Sequence, residues 1–204
     1  MNENDQEIEV KFYLANLPKL EEKIKAAGGI RVQERVRETN LRFDLPDGSL
    51  TTDRRVLRLR QDVHSVLTYK GPSAAGQTVN VRQEIETTVG DFAAAQRILE
   101  TLGYRVVVKY EKWRTTYRLG QLEIVLDELP YGNFSEIEGP DAEIIRSTAG
   151  LLDLDWNKRI TDSYLGMFWR LKAKLDLKAE HLDFASFAGL SIRADDLDIR
   201  PADI

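Results

Sequence analysis

Three short segments of this chain read Glu-Ile-Glu, at residues 7–9, 84–86 and 136–138. An extended strand points successive side chains to opposite faces, so each segment places two carboxylates on one face and an isoleucine on the other. The first continues as Val10-Lys11-Phe12, which adds a lysine to the acidic face and apolar residues behind it. Strands that pair acids this way make a poor solvent surface but suit the holding of divalent cations.

Sorting the other period-two segments by parity gives the same division. Arg58 and Arg60 share a face opposite Leu57 and Leu59, and Thr68 aligns with Lys70. Arg82, Glu84 and Glu86 oppose Val81, Gln83 and Ile85. Lys112, Arg114, Thr116 and Arg118 oppose Trp113, Thr115, Tyr117 and Leu119, and Glu123, Val125 and Asp127 oppose Leu122, Ile124 and Leu126. Two architectures account for this. In one, an antiparallel sheet packs its apolar side on helices and wets the other. In the other, about eight antiparallel strands close into a barrel, with the charged residues in the lumen and helices over an apolar exterior. Lys and Glu are poor strand formers, and Arg-x-Arg beside Glu-x-Glu leaves little of the Thr, Ser and Gln of an ordinary wet face, which favours the second.

The cationic residues suggest what such a lumen would hold. Lys11, Arg58, Arg60, Lys70, Arg82, Lys112, Arg114 and Arg118 form a dense set of donors, and arginine forks match phosphate oxygens. The carboxylates need counter-charge of their own, and hard oxygen ligands at this density suit Mg2+ or Mn2+. A polyphosphate with bound metal satisfies both signs together.

Other chemistries are set aside. The chain has no cysteine and only His64 and His181, so thiolate and histidine-rich metal sites are out. No Gly-x-x-x-x-Gly-Lys-Ser/Thr loop or dinucleotide fingerprint is present, Ala74-Ala75-Gly76 reads as a plain loop, and no Ser-His-Asp set emerges. A net charge of −5 argues against a general nucleic-acid binder. The acidic start is unlike a signal peptide and no apolar run reaches membrane-spanning length, so the expectation is a soluble cytoplasmic protein, monomer or homodimer.

Helical periodicity appears after Asn16 (Leu17, Leu20, Ile24, Ala27), after Asp91 (Phe92, Ala95, Ile98, Leu99, Leu102) and after Asp141 (Ile144, Ile145, Leu151). A fourth helix follows Thr161 or Asp162 (Tyr164, Leu165, Phe168, Trp169, Leu171). Strands are predicted over 6–14, 31–44, 55–61, 65–71, 79–89, 105–119, 121–128 and 134–139. Glu-Ile-Glu, a Gly-stopped helix and a basic strand occur at 7–43 and again at 84–118, the pattern a duplication would leave. Residues 171–204 read as a helix end and an acidic appendage, packed or loosely ordered, without chemistry.

These motifs together resemble the CYTH superfamily, the triphosphate tunnel metalloenzymes that include class IV adenylate cyclases and thiamine triphosphatases. Glu7-Ile8-Glu9-Val10-Lys11 matches its opening Glu-x-Glu-x-Lys signature. The likeness continues through Leu57-Arg58-Leu59-Arg60, Leu67 to Pro72, Arg82 to Glu86, Lys112 to Tyr117, Val125 to Glu128 and Phe134 to Glu138, ending near Asp162-Ser163-Tyr164-Leu165. It covers roughly residues 5–170 and implies an α+β fold, an eight-stranded antiparallel tunnel binding a triphosphate and one or two divalent cations. By that resemblance Glu7, Glu9, Asp127, Glu136 and Glu138 would be metal ligands, with Glu86 able to share that role. Lys11, Arg58, Arg60, Lys70, Arg82, Lys112 and Arg114 would hold phosphates, and a further basic residue near the C-terminal end would be Lys158 or Arg159.

The function expected is metal-dependent hydrolysis of inorganic, thiamine or nucleoside triphosphate, with Glu84 or Glu86 positioning water and Lys11 in the catalytic set. A class IV-type adenylate cyclase would use the same residues to make cyclic AMP and pyrophosphate. A non-catalytic polyphosphate or nucleotide binder is the third reading.

Overall fold

The computed structural model describes residues 6–73, 76 and 78–204; two of the three residues of the Ala74-Ala75-Gly76 loop, and the first five of the chain, fall outside them. Eight antiparallel strands form a closed barrel: β1 (Gln6–Leu14), β2 (Ile30–Asp44), β3 (Val56–Gln61), β4 (Ser65–Lys70), β5 (Asn80–Val89), β6 (Arg105–Leu119), β7 (Leu122–Leu129) and β8 (Gly132–Glu138). The order around the ring is β1-β5-β4-β3-β2-β6-β7-β8, and β8 closes on β1 with Lys11 opposite Glu136. Every strand expected from the alternation is present, with ends shifted by no more than two residues.

Among the described residues, five α-helices accompany the strands: α1 (Leu17–Ala26), the one-turn α2 (Ser49–Thr52), α3 (Phe92–Thr101), α4 (Ala142–Leu151) and α5 (Tyr164–Leu175). Their starts obey side-chain capping. Asn16 accepts from the Lys19 amide, Asp91 from Ala94, and Asp141 from Glu143 and Ile144. α5 departs from expectation: Ser163 caps it through the Gly166 amide, while Asp162 pairs with Arg170. Gly28 at φ 89° and Gly103 at φ 96° end α1 and α3 in the left-handed region that glycine tolerates.

The barrel is apolar outside. Val10, Phe12, Ile124, Leu126 and Ile137 pack outward against Leu20 and Ile24 of α1 and Ile145 and Ala149 of α4. Leu41, Phe43 and Leu59 meet Leu99 of α3. The cover is incomplete: on the β5 wall Ile85 is 48% exposed. Helix faces are also narrower than the periodicity implied. Ile98 of α3, Leu102 just after it, Ile144 and Leu151 of α4, and Trp169 of α5 are exposed.

The C-terminal segment is packed against the barrel, and the boundary expected at 170 falls inside α5. Leu182 bridges to Tyr110 of β6, with Leu182 N donating to the Lys109 carbonyl at 3.0 Å and Glu111 N to the Leu182 carbonyl at 2.9 Å. Phe187 and Leu197 join Phe168 and Leu171 of α5 in one cluster. Asp203 then accepts from the amides of Ala15 and Asn16 at 2.8 and 2.7 Å, fastening the chain end beside α1.

Candidate active site

Inward-facing residues of all eight strands enclose a cavity of about 900 Å3 in which charged groups of both signs make up most of the lining. Strand parity does the positioning, since each inward carboxylate or cation is backed by an outward apolar neighbour that fixes the face. At one end of the barrel, beyond Lys11 and Glu136, Phe134 stands edge-on to Tyr13 and to Tyr164 at 5.2 Å. Residues 160–165 close over that end, where Ile160 exchanges backbone hydrogen bonds with Lys11.

The charges interlock. Lys11 Nζ lies 2.7 Å from Glu136, and Lys70 Nζ lies 2.7 Å from Glu7 and 2.8 Å from Glu84. Arg82 Nε donates to Glu7 at 2.8 Å. Arg58 reaches Glu86 at 3.2 Å, and Thr68 donates to the same carboxylate at 2.6 Å. Arg114 donates to both oxygens of Asp127 and to Glu136. These pairs act in a partly desolvated space, where unit charges about 4 Å apart interact by roughly 4 kcal/mol at an effective dielectric of about 20.

Protonation follows from who has a partner. Burial pushes the Glu7 carboxyl upward, but Lys70 and Arg82 outweigh it and hold the group at about 2. Glu38 is treated alike: burial raises it, and Lys112, Arg114, Arg58 and Arg60 bring it down to about 2. Glu84 goes the other way. Burial and the neighbouring Glu7 prevail over Lys70 and set it at about 8. Glu138 has no ion pair among the described residues; burial, with repulsion from Glu7, Glu123 and Glu9, raises it to about 7.

Of the residues singled out in the sequence, Glu7, Glu9, Lys11, Arg58, Arg60, Lys70, Arg82, Glu84, Glu86, Lys112, Arg114, Glu136 and Glu138 all line this one cavity. Asp127 is placed differently. It is fully buried behind the lining, its oxygens taken by Arg114, by Lys112 at 3.1 Å and by the Tyr164 hydroxyl at 2.9 Å. Arg118 lies on the lumen parity but is exposed at the end of β6, beyond the cavity. Lys158 reaches the carbonyl of Ile204, and Arg159 the carbonyl of Thr78, so neither enters the lumen.

The structure adds Glu38, Arg42, Arg54, Tyr110, Glu123 and Tyr164 to the lining. Glu38 and Arg42 escaped notice because residues 31–37 of the same strand are charged on both faces. The usable signal was Leu41 and Phe43, whose outward pair puts Glu38, Asn40 and Arg42 inside.

The donor chemistry fits a hard divalent cation. Glu9 and Glu123 are both direct cross-strand partners of Glu138, so like charges face one another on three adjacent strands, an arrangement that is costly without a cation. The shell is not preformed: among the described residues no group of three or more such side chains is arranged to hold a metal as they stand. Lys11 and Arg82 stand between them, at 3.6 and 4.0 Å from Glu9.

A closed antiparallel barrel with a lumen of interleaved acids and bases defines a tunnel-type binding protein or enzyme for small, highly charged anions. Residues 5–160 match the CYTH domain model, and the chain belongs to that family. A Methanocaldococcus jannaschii relative, provisionally named an adenylate cyclase, is 27% identical over 140 residues, covering 68% of this chain and 79% of its own length. Among solved structures, a provisionally named adenylate cyclase of Vibrio parahaemolyticus superposes with a TM-score of 0.73 at 24% identity, over 80% of this chain and 97% of that one. The Hippeastrum protein HpAC1, credited with a dominant triphosphatase activity, gives 0.58 at 17% identity over 80% and 95%. No helix among the described residues is long and apolar enough to cross a membrane.

Proposed function

We propose that this chain hydrolyses a small triphosphate with the help of a divalent cation. The observation that carries the reading is the lumen itself: closely packed cations and carboxylates of both signs in one cavity of about 900 Å3. Lys11, Arg58, Arg60, Lys70, Arg82, Lys112 and Arg114 hold the phosphate oxygens and neutralise charge spread over the transferred phosphoryl group. Glu7, Glu9, Glu136 and Glu138 are the residues that would hold Mg2+ or Mn2+, which supplies Lewis-acid polarisation of the phosphoryl oxygens. Asp127 serves from behind, fixing Arg114 and Lys112 rather than meeting the cation. Glu84 and Glu86 sit on β5, next to β1 in the ring, and orient the attacking water, whose oxygen bonds to the terminal phosphorus as the bridging P–O bond breaks and the rest of the chain leaves.

Cyclisation of ATP is the second reading, favoured by the names its relatives carry. Hydrolysis is preferred because it requires only the charged lumen and water. The test is product analysis with inorganic triphosphate, thiamine triphosphate and ATP in parallel. Orthophosphate release that stops with chelator is expected. Cyclic AMP with equimolar pyrophosphate would overturn hydrolysis in favour of the cyclase, and binding without product would make the chain a sensor.

A further inference from the structure

Two cations of the lumen meet at one aromatic ring. Lys11 Nζ of β1 lies 4.8 Å and Lys112 Nζ of β6 5.2 Å from the centroid of Tyr164. The two strands are not neighbours in the barrel, so like charges from separate walls converge on a single side chain. Ammonium groups drawn this close repel, and the negative face of an aromatic ring offsets the repulsion where water is scarce. Tyr164 is buried and lines the cavity. It belongs to no strand: it opens α5, so the parity that places the other lumen residues does not place it.

Tyr164 is held from several sides, which fixes where its ring lies. Its carbonyl accepts from the Tyr131 hydroxyl at 2.8 Å, and Ser163 caps the helix that it opens. Ile160, four residues earlier, exchanges backbone hydrogen bonds with Lys11 itself. The Tyr164 hydroxyl donates to Asp127 Oδ2 at 2.9 Å, the oxygen that also accepts from Lys112 and Arg114. A tyrosine that only packed would need its edge contact with Phe134 and one acceptor for its hydroxyl. Packing does not require both lysines to stand over the ring. An ammonium has three N–H donors. Lys11 commits one to Glu136 at 2.7 Å and Lys112 one to Asp127 at 3.1 Å, while Glu9 and Glu38 stand off at 3.6 Å. A ring attracts the ammonium without giving it an acceptor oxygen, so a donor stays free for an incoming anion.

We propose that Tyr164 is a positioning residue for the reaction: its ring aims Lys11 and Lys112 at the ligand, and its hydroxyl orients Asp127 behind Lys112. This rests on the reading that the lumen takes a triphosphate and goes beyond it, giving Tyr164 a part without a phosphate contact of its own. Without the ring the lumen keeps every charge it has. Lys11 is then free to settle between Glu136 and Glu9, and Lys112 between Asp127 and Glu38, with their donors turned to fixed carboxylates. Loss of the ring therefore weakens binding at unchanged lumen charge, which separates orientation from electrostatics.

The test is calorimetric titration of tripolyphosphate in chelator, where hydrolysis does not proceed. Wild type, Tyr164→Phe and Tyr164→Leu are compared, each checked for folding by circular dichroism. Leucine removes the ring and is expected to weaken binding roughly tenfold, the scale of two cation–π contacts. With Mg2+ it should lower kcat/KM by at least as much. Phenylalanine keeps the ring, loses only the hydroxyl, and holds the loss to about twofold. Because leucine at a buried position can unfold the chain, proton NMR of the wild type supplies a second measurement. Ring currents should shift the ε-methylene signals of two lysines upfield, identified through Lys11→Arg and Lys112→Arg, and tripolyphosphate should move both. Equal losses in the two Tyr164 variants, full affinity in a folded Tyr164→Leu chain, or ordinary lysine signals in wild type would each overturn the assignment. Ring-shifted lysines in a wild type that binds no tripolyphosphate would overturn the triphosphate reading and Tyr164's part in the reaction with it. That result is distinct from a ring that proves dispensable for binding.

Discussion

Asp127 and Glu9 are both acids on lumen parity, yet their surroundings assign them opposite consequences when altered. Asp127 is wholly buried and neutralises Arg114 and Lys112. Asp127→Ala takes their shared counter-ion from a desolvated wall and leaves them only Glu136 and Glu38, a change that costs about 3 kcal/mol. Thermal denaturation should show a drop of roughly 10 °C for a chain of this size. Glu9 makes only loose contacts, at 3.4 Å to Asn80 and 3.6 Å to Lys11. Glu9→Gln is expected to keep the folding transition within a few degrees of wild type while abolishing metal-dependent turnover, and retained activity would remove Glu9 from the cation site. The pH response follows from the remaining carboxylates. Glu84 at about 8 and Glu138 at about 7 keep protons in the folded chain that the unfolded chain, at 4.5, has released. Without metal, stability therefore falls as pH rises from about 4.5 towards 8. Glu7 and Glu38, held at about 2, act in the reverse sense: the stability they contribute is lost as pH falls below about 4.5. Melting curves between pH 5 and 8 should show a declining midpoint that Mg2+ restores most at the alkaline end, because cation binding needs the deprotonated carboxylates. A midpoint indifferent to both pH and Mg2+ would contradict the assignment.

Among the elements, the strands were the most legible. Alternation over 112–119 or 6–12 leaves one register in which the apolar side chains face out and the charges face in. Helix starts were legible for the same kind of local reason, through Asn16, Asp91 and Asp141. Two kinds of element were not. β2 hid its lumen face behind a two-faced charged stretch at 31–37, so Glu38 and Arg42 went unassigned. The segment after α5 lacks any period, and its order comes from tertiary contacts that a sequence pattern does not encode: the Leu182 bridge to β6, Phe187 against Phe168, and Asp203 against the amides ahead of α1. Those contacts give the segment a structural weight that can be measured. Asp203→Ala strips acceptors from two amides and should cost about 1–3 kcal/mol in urea denaturation, with lumen chemistry unchanged. A loss within a few tenths of a kcal/mol would show that water replaces the carboxylate there.

At the scale of the whole molecule, the barrel is inverted relative to one that stores an apolar ligand: its core lies between barrel and helices, and its lumen is given to charge. Sequence parity revealed the inversion but not the detailed shape. It put most of the lumen residues on one face, yet gave no sign that Arg118 ends beyond the cavity, that Asp127 withdraws behind the lining, or that Arg42 and Arg54 join it. A lumen with so many buried ionic groups is a weak source of stability, since desolvation offsets most of the Coulomb attraction. Its arrangement is best explained by a ligand that carries many negative charges and arrives with a cation. The most direct test is phosphorus NMR of tripolyphosphate incubated with the purified chain and Mg2+, with and without chelator. The predicted result is steady conversion to pyrophosphate and orthophosphate that halts when the metal is removed. Tripolyphosphate that remains unchanged and unbound, with or without metal, would contradict the central claim that this lumen is a triphosphate site.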